Sequence, residues 1–391
     1  MPTVDTLVRD SLLFDAARRN RRSLFNQDRL YAGMEDAGLD AVVASTPANV
    51  TYTGGAWIPL PLLYAFVLTT RGGEQAIVIN EADEYFLREY SWVKDIRSFR
   101  FGPGSDRQAL ALFSDALSDH GLHGGTIGIE LSSIPVDVYR ALVENFPTIT
   151  WRDAKSVFDH ARLVKTEGEI ELFRAAAYMT AKAIATAFML VSPGDTEKTL
   201  AAEMQSTVLR FGADSLLHAH VHAGRHSTVV HTLSLEEPIR PGEVIHVDFG
   251  AAFAGYSTDL SRNAVVVNAD TKQDQIYRHL WEIHQVVLDA VRPGIRAEEV
   301  FRVAQPEFDA RGLTHPWGTI GHSTGLDIHE GFELSIGSDV VLETGMILNV
   351  EPSHIEPDDA RYHLEDTVLV TEAGYELLSD FSSTEQLFEI R

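Results

Sequence analysis

Two aspartates stand out as the residues whose setting demands chemistry. Asp248 lies in the run Val244-Ile245-His246-Val247-Asp248-Phe249-Gly250, and Asp259, eleven residues on, in Tyr256-Ser257-Thr258-Asp259-Leu260-Ser261-Arg262. Both runs are aliphatic and β-branched and a turn through Gly255 joins them, so they read as an antiparallel hairpin. A carboxylate in such a strand is costly to bury unpaired, and a cation would offset that cost. Three further segments carry groups of the same kind: Gly321-His322-Ser323-Thr324-Gly325-Leu326-Asp327-Ile328-His329-Glu330, then Asn349-Val350-Glu351-Pro352, then His363-Leu364-Glu365-Asp366 leading into Thr367-Val368-Leu369-Val370. Taken singly, each has another use. Asp248 could cap a turn, His322 could be an interior histidine, Glu351 could open a loop, and Glu365-Asp366 could be a solvated pair.

Taken together, the order Asp, Asp, His, Glu, Glu in these settings resembles the metal-dependent pita-bread peptidases, among them methionine aminopeptidase, aminopeptidase P and prolidase. Carried over by position, the resemblance implies that Asp248 chelates one metal, that Asp259 and Glu365 bridge two, and that His322 and Glu351 complete the second. The implied cofactor is two divalent ions, manganese being expected, with zinc, cobalt or iron as alternatives. Charge supports this, because two dications balance four crowded carboxylates. Oxygen-rich ligation with one imidazole suits these metals, and the absence of cysteine excludes a thiolate site. Two ions about 3.5–4 Å apart can share a water and lower its pKa, giving a bridging hydroxide near neutral pH. Glu351 is the candidate general base toward that water. His231, seventeen residues before Asp248, and His329, seven after His322, match the family's catalytic histidines. By resemblance they would hydrogen-bond the substrate carbonyl or its leaving nitrogen in the tetrahedral intermediate.

The implied reaction is hydrolysis of an amide C–N bond, as by an Xaa-Pro dipeptidase. The pattern departs from that family where the substrate is read. Gly318 and His363 stand where the family carries a histidine and an arginine, Ser353 follows Glu351-Pro352 in place of a glycine, and His226 replaces an asparagine. These departures keep a second substrate class in view: a small non-peptide nitrogen compound, as in ectoine hydrolase or creatinase. Arg361 and His363 are candidate substrate contacts, with Arg361 able to take a carboxylate as a bidentate pair. His222 and Trp57 are further candidates, Trp57 by reaching a neighbouring subunit. His218, His220, His222 and His226 form a histidine-rich segment that reads as structure or substrate contact in preference to a third metal.

These residues need a scaffold, and the chain is long enough for two domains. Alternating strands (40–44, 65–69, 76–79, 126–129) and helices (26–38, 82–90, 107–120, 135–144) predict a smaller α/β domain over residues 1–158, similar to the creatinase/prolidase N-terminal domain. No glycine-rich phosphate loop follows its first strand. Residues 1–25 read as an amphipathic arm, with Leu12, Leu13 and Phe14 docking while its arginines face water. A long helix from Arg162 to Leu190 opens the second domain, 159–391. Val191-Ser192-Pro193-Gly194 after that helix is echoed by Val291-Arg292-Pro293-Gly294 one hundred residues later. This weak duplication predicts an α+β, pita-bread catalytic domain of two pseudo-two-fold halves with the site between them.

Composition bounds the partners. A formal charge of -25, with 57 acidic against 32 basic side chains, argues against nucleic acid and anionic membranes. A dipeptide or small-molecule substrate is expected. The basic N-terminus lacks an apolar core for a signal peptide, and the longest apolar stretch, 56–68, is broken by Pro59 and Pro61, too short to span a bilayer. Cytoplasmic location and a homodimer, common among two-domain relatives, complete the expectation.

Overall fold

A computed structural model of the chain describes residues 4–57, 65–230 and 232–391. The chain divides into two compact units: residues 15–162 with 166–169, and residues 1–14 and 163–165 with 170–391.

The N-terminal unit is a mixed six-stranded sheet. Its strands are β1 (Ala41–Ala44), β2 (Phe66–Thr70), β3 (Gln75–Asn80), β4 (Asp95–Phe99), β5 (Gly125–Ile129) and β6 (Ile149–Asp153), in the order β4-β3-β2-β1-β5-β6. The central strands are the apolar runs legible in the sequence, and Val43, Phe66 and Ile127 pack with Phe113 and Leu142 of the helices Ser105–Asp119 and Val136–Asn145. The two edge strands β4 and β6 went unrecognised because each buries little: only Ile96 and Phe99 of one and Ile149 of the other. Edge strands carry charge because one side has no partner. Of the apolar stretch 56–68, residues 58–64 lie outside the described part.

The arm departs from expectation in two places. It forms the helix Val4–Arg19, in which Phe14 is fully buried against Phe253, ring centroids 4.8 Å apart, while Leu12 is 63% exposed. Arg21 does not face water: the 3-10 turn Arg22–Leu24 folds the chain back into the N-terminal unit, where Phe25 stacks on Trp92 and Arg21 is buried. The expected helix from Arg162 is two helices, Lys155–Leu163 and Glu167–Leu190. The break is a Thr-x-x-Glu capping box in which the Thr166 hydroxyl accepts from Glu169 N and the Glu169 carboxylate accepts from Thr166 N.

The C-terminal unit repeats one plan. The helix Glu167–Leu190, a turn at Pro193-Gly194 and the helix Glu197–Arg210 precede β7 (Ser215–Ala223), β8 (Val244–Phe253) and β9 (Tyr256–Val266). The helix Thr271–Ala290, a turn at Pro293-Gly294 and the helix Ala297–Arg311 precede β10 (Thr319–Ser323), β11 (Glu333–Ser335) and β12 (Ile347–Val350). A small hairpin, β13 (Ser353–Glu356) and β14 (Ala360–His363), separates β12 from β15 (Asp366–Thr371), and β16 (Gly374–Leu377) and β17 (Phe388–Ile390) follow. Two sheets result, β17-β9-β8-β7 and β11-β10-β12-β15-β16. The turns match bond for bond: Gly194 N donates to Ile239 O and Ile239 N to Asp195 O, as Gly294 N donates to Leu342 O and Leu342 N to Ile295 O. A Ser261–Glu365 bridge joins the two sheets. Among the described residues no helix is long and apolar enough to cross a membrane.

Candidate metal centre

The first two carboxylates are placed by a tight hairpin. Ala254 and Gly255 both have positive φ (49° and 84°) between β8 and β9, the primed turn whose twist matches antiparallel strands. The register sets Asp248 opposite Ser261 and Gly250 opposite Asp259, so both aspartates leave the same face of the sheet. The other groups come from the second half. His322 is on β10, Glu351 follows β12 and donates its N–H to Ile320 O, and Glu365 precedes β15, with its N–H on Ser261 O. Beside His322, Gly321 lets β10 and β12 touch: a β-carbon there would lie 2.1 Å from Asn349 O.

These side chains meet at one cavity of about 390 Å3, whose walls include Asp248, Asp259, His322, Glu351 and Glu365. His322 Nε2 lies 3.9 Å from Asp259 Oδ2, 3.9 Å from Glu351 Oε1 and 3.7 Å from Glu365 Oε1. His218, from β7, lies with its Nε2 2.9 Å from Asp248 Oδ1 and 3.1 Å from Asp259 Oδ1. Glu365 is held from both sides, accepting from Ser261 Oγ and Asn349 Nδ2, each at 3.1 Å. Arg262 donates to its backbone carbonyl and to Asp366.

The electrostatics suit the binding of positive charge. Burial and the neighbouring Glu365 push Asp259 up to about 7, and burial with Asp248 pushes Glu365 up to about 7. Burial and the same carboxylates raise Glu351 well above the carboxylate range. Burial opposes a charge on His218, but its hydrogen bonds to Asp248 and Asp259 outweigh that and raise it to about 11. Asp248 is the acid kept ionised: burial is outweighed by the His218 hydrogen bond. Carboxylate oxygens and imidazole nitrogens gathered within 4.8 Å, as in His218, Asp248 and Asp259, are a donor set for a divalent cation. Such an ion would relieve the repulsion that protons relieve in its place.

The remaining expected residues fall in different places. His329 lines the cavity, its ring stacked on His322 with centroids 3.7 Å apart and its Nδ1 2.9 Å from Glu333 Oε1. The Glu333 hydrogen bond raises its pKa. His231 lies outside the described residues. Arg361 lines the cavity too: it is on β14, 3% exposed, with Nε donating to Ser353 Oγ and Nη2 to His363 Nδ1. Its guanidinium lies 5.8 Å from the centre of the Trp317 ring. His363 stands behind the wall with Nε2 3.4 Å from Glu351 Oε2, and burial and Arg361 hold it neutral.

His222 corrects an expectation: it is fully buried and does not line the cavity. It shares a face with His218 and His220 but stands one row further along, opposite His246, with Nε2 3.2 Å from Thr232 O. Trp57 is half-buried in the N-terminal unit and is not among the lining residues. Sequence reading gave no definite role to His218 and His220, and passed over Trp317 and Thr319, which also line the cavity. The period-two spacing of His218, His220 and His222 was the available signal, but only the strand register says which of them arrive.

Comparison with known proteins gives the family. The profile of Metallopeptidase family M24 matches residues 171–372, and that of the Creatinase/Prolidase N-terminal domain matches residues 27–164. An Xaa-Pro dipeptidase of Pyrococcus furiosus is 26% identical over 358 residues, 90% of this chain and 97% of that protein. One from Lactobacillus helveticus is 26% identical over 94% of this chain and 100% of its own. Among solved structures, a prolidase from Pyrococcus furiosus superposes with a TM-score of 0.76 at 25% identity, covering 90% of this chain and 100% of that one. An X-Pro aminopeptidase from Thermotoga maritima shares the fold, with a TM-score of 0.83 at 20% identity over 94% and 100%. The family implies divalent metal ions, and the described residues include the clusters that could hold them. With more than half its length matched, the chain belongs to metallopeptidase family M24, as a prolidase-like metallohydrolase with a creatinase-type N-terminal domain.

Proposed function

We propose that the chain is a dinuclear metal-dependent hydrolase that cleaves the amide bond of Xaa-Pro dipeptides. The observation that carries the reading is the convergence of Asp248, Asp259, His322, Glu351 and Glu365 on one cavity. In this assignment Asp248 would hold one ion, His322 and Glu351 the other, and Asp259 and Glu365 would serve both. The ions supply Lewis acidity and a nucleophile at neutral pH when bound.

The protein's own groups do the rest. Glu351 accepts a proton from the attacking water at its carboxylate and returns it to the leaving nitrogen. His363 orients Glu351: Arg361 can only donate, so His363 Nδ1 accepts and the proton sits on Nε2, toward Glu351. His329 and His231 donate to the substrate carbonyl or leaving nitrogen. Arg361, buried beside Trp317, takes the substrate carboxylate. The same reading has the N-terminal domain end near residue 158, and the enzyme cytoplasmic and a homodimer, the last checked by sedimentation.

One observation favours a second substrate class. A β-carbon on Gly318 would meet nothing within 4 Å, so no neighbouring group takes the place of the family's histidine there, as suits a substrate that needs no such contact, a small cyclic amide such as ectoine. Metal-loaded protein assayed against Xaa-Pro dipeptides, their C-terminal amides and cyclic amides separates the two. The dipeptidase reading expects cleavage of free-acid Xaa-Pro above the others, and turnover of cyclic amides alone would replace it.

A further inference from the structure

The β7–β8–β9 sheet sorts its side chains into rows. The register puts His218 opposite Gly250 and Gly250 opposite Asp259; the next row is His220, Asp248 and Ser261; the third is His222, His246 and Asn263. In the first row the middle residue has no side chain. A β-carbon on Gly250 would lie 2.4 Å from His218 Cε1 and 2.8 Å from its Nδ1, so the imidazole occupies the space that glycine leaves. It thereby crosses from β7 to the carboxylates of β8 and β9. An irregularity in the pairing between Leu216 and His218 falls at this point, and such bulges re-aim a side chain.

We propose that His218 is a sixth protein ligand of the metal centre, an imidazole on the ion held by Asp248 and Asp259. The inference rests on the dinuclear reading above and extends it. Three observations support it. The His218 Nε2 contacts of 2.9 and 3.1 Å match the roughly 3 Å between neighbouring ligand atoms about an ion with bonds near 2.1 Å. The position has a counterpart in the second half. His322 is likewise on the strand that follows the helix pair, and Glu351, just after β12, and Glu365, just before β15, stand beside it as Asp248 and Asp259 stand beside His218. The third is exclusion. Of the further imidazoles grouped with these carboxylates, His246, His329 and His363, His363 presents a protonated nitrogen to Glu351 because Arg361 fills its Nδ1.

Each ion then carries one imidazole, and the centre is richer in nitrogen than a single-histidine set. That moves its preference from manganese toward cobalt, zinc or iron(II).

X-ray absorption of the dicobalt wild-type protein counts imidazoles directly, without substrate. An average of one imidazole per cobalt is expected, and one per two cobalts overturns the proposal. Calorimetric titration with Co(II) and Mn(II) tests the residue itself. His218→Ala and His218→Gln, each checked for native circular dichroism, should bind one of the two cobalt ions about tenfold or more weaker, and their preference for cobalt over manganese should fall. Two variants that fold and bind both ions as the wild type does overturn it. A protein with two ions and one imidazole on each, yet no proline release, would sink the dipeptidase reading and leave this one standing. A wild type that binds neither metal overturns both.

Discussion

The two halves of the C-terminal unit share a scaffold and differ in how they hold their acids. In the first half Asp248 and Asp259 stand within paired strands, where the β8–β9 register sets them on one face and His218 contacts both. In the second, the β13–β14 hairpin is inserted between Glu351 and Glu365, and neither acid lies within a strand. Glu365 is held by side chains of neighbouring strands, Asn349 of β12 and Ser261 of β9, and His363 of the inserted hairpin lies behind Glu351. Asn263, a residue of the first half, ties that hairpin down, donating to Ile245 O and Arg361 O and accepting from His363 N. The repeat supplies positions for the acids, and side chains of both halves surround them.

This difference can be broken or sharpened experimentally. The largest effect should come from the acid assigned to both ions. Asp259→Asn should lower kcat/KM by more than ~100-fold while the protein stays folded, because even residues behind metal ligands are worth about 10–100-fold. Glu351→Gln should cost about 100- to 10,000-fold as a lost base, with at least one ion still bound by calorimetry. If its activity survives, the second half holds metal but does not move the proton.

Next in size is Asn263→Ala. It leaves buried polar groups of both halves unpaired, at about 1–3 kcal/mol in chemical denaturation, and an unaffected midpoint would mean the hairpin stands without the first half.

The metal-free protein should also titrate. Asp259 and Glu365 have native pKa values of about 7 against ordinary values of 3.8 and 4.5. The native state therefore holds protons that the unfolded chain has lost, and stability falls as pH rises from about 4 to 7. His218, at about 11 against 6.5, extends the loss above neutrality. The increase in Tm on adding metal should thus be greater at pH 8 than at pH 5, and a pH-independent increase would contradict the charge account. The smallest effects should be equal ones. Gly194→Ala and Gly294→Ala, at φ of 97° and 85°, should each cost about 1–2 kcal/mol, and unequal costs would show that the two turns are not the same device.

Much of this was legible in the sequence because the two Asp runs and the segments around His322, Glu351 and Glu365 pair reactive groups with strong local patterns. The hairpin was read from its β-branched runs and its turn, and the duplication from two Pro-Gly turns. What escaped notice depends on pairing between distant segments. That His218 rather than His222 reaches the cavity follows from their rows against Gly250 and His246, and nothing in residues 215–223 encodes it. The edge strands β4 and β6 are too polar to announce themselves, and the break before Glu167 hid in a capping box within an otherwise helical pattern. Arg21 was expected in water because charge near a terminus has no visible reason to be buried.

The central claim is that this cavity is a working two-metal peptidase site. The most direct test is proline release from an Xaa-Pro dipeptide followed as metal-free protein is titrated with Co(II), with the bound metal counted at each point. Activity should climb to a plateau at two ions per chain and stay at background in Asp259→Asn. Full release from the metal-free protein, or none from protein holding two ions, would contradict it.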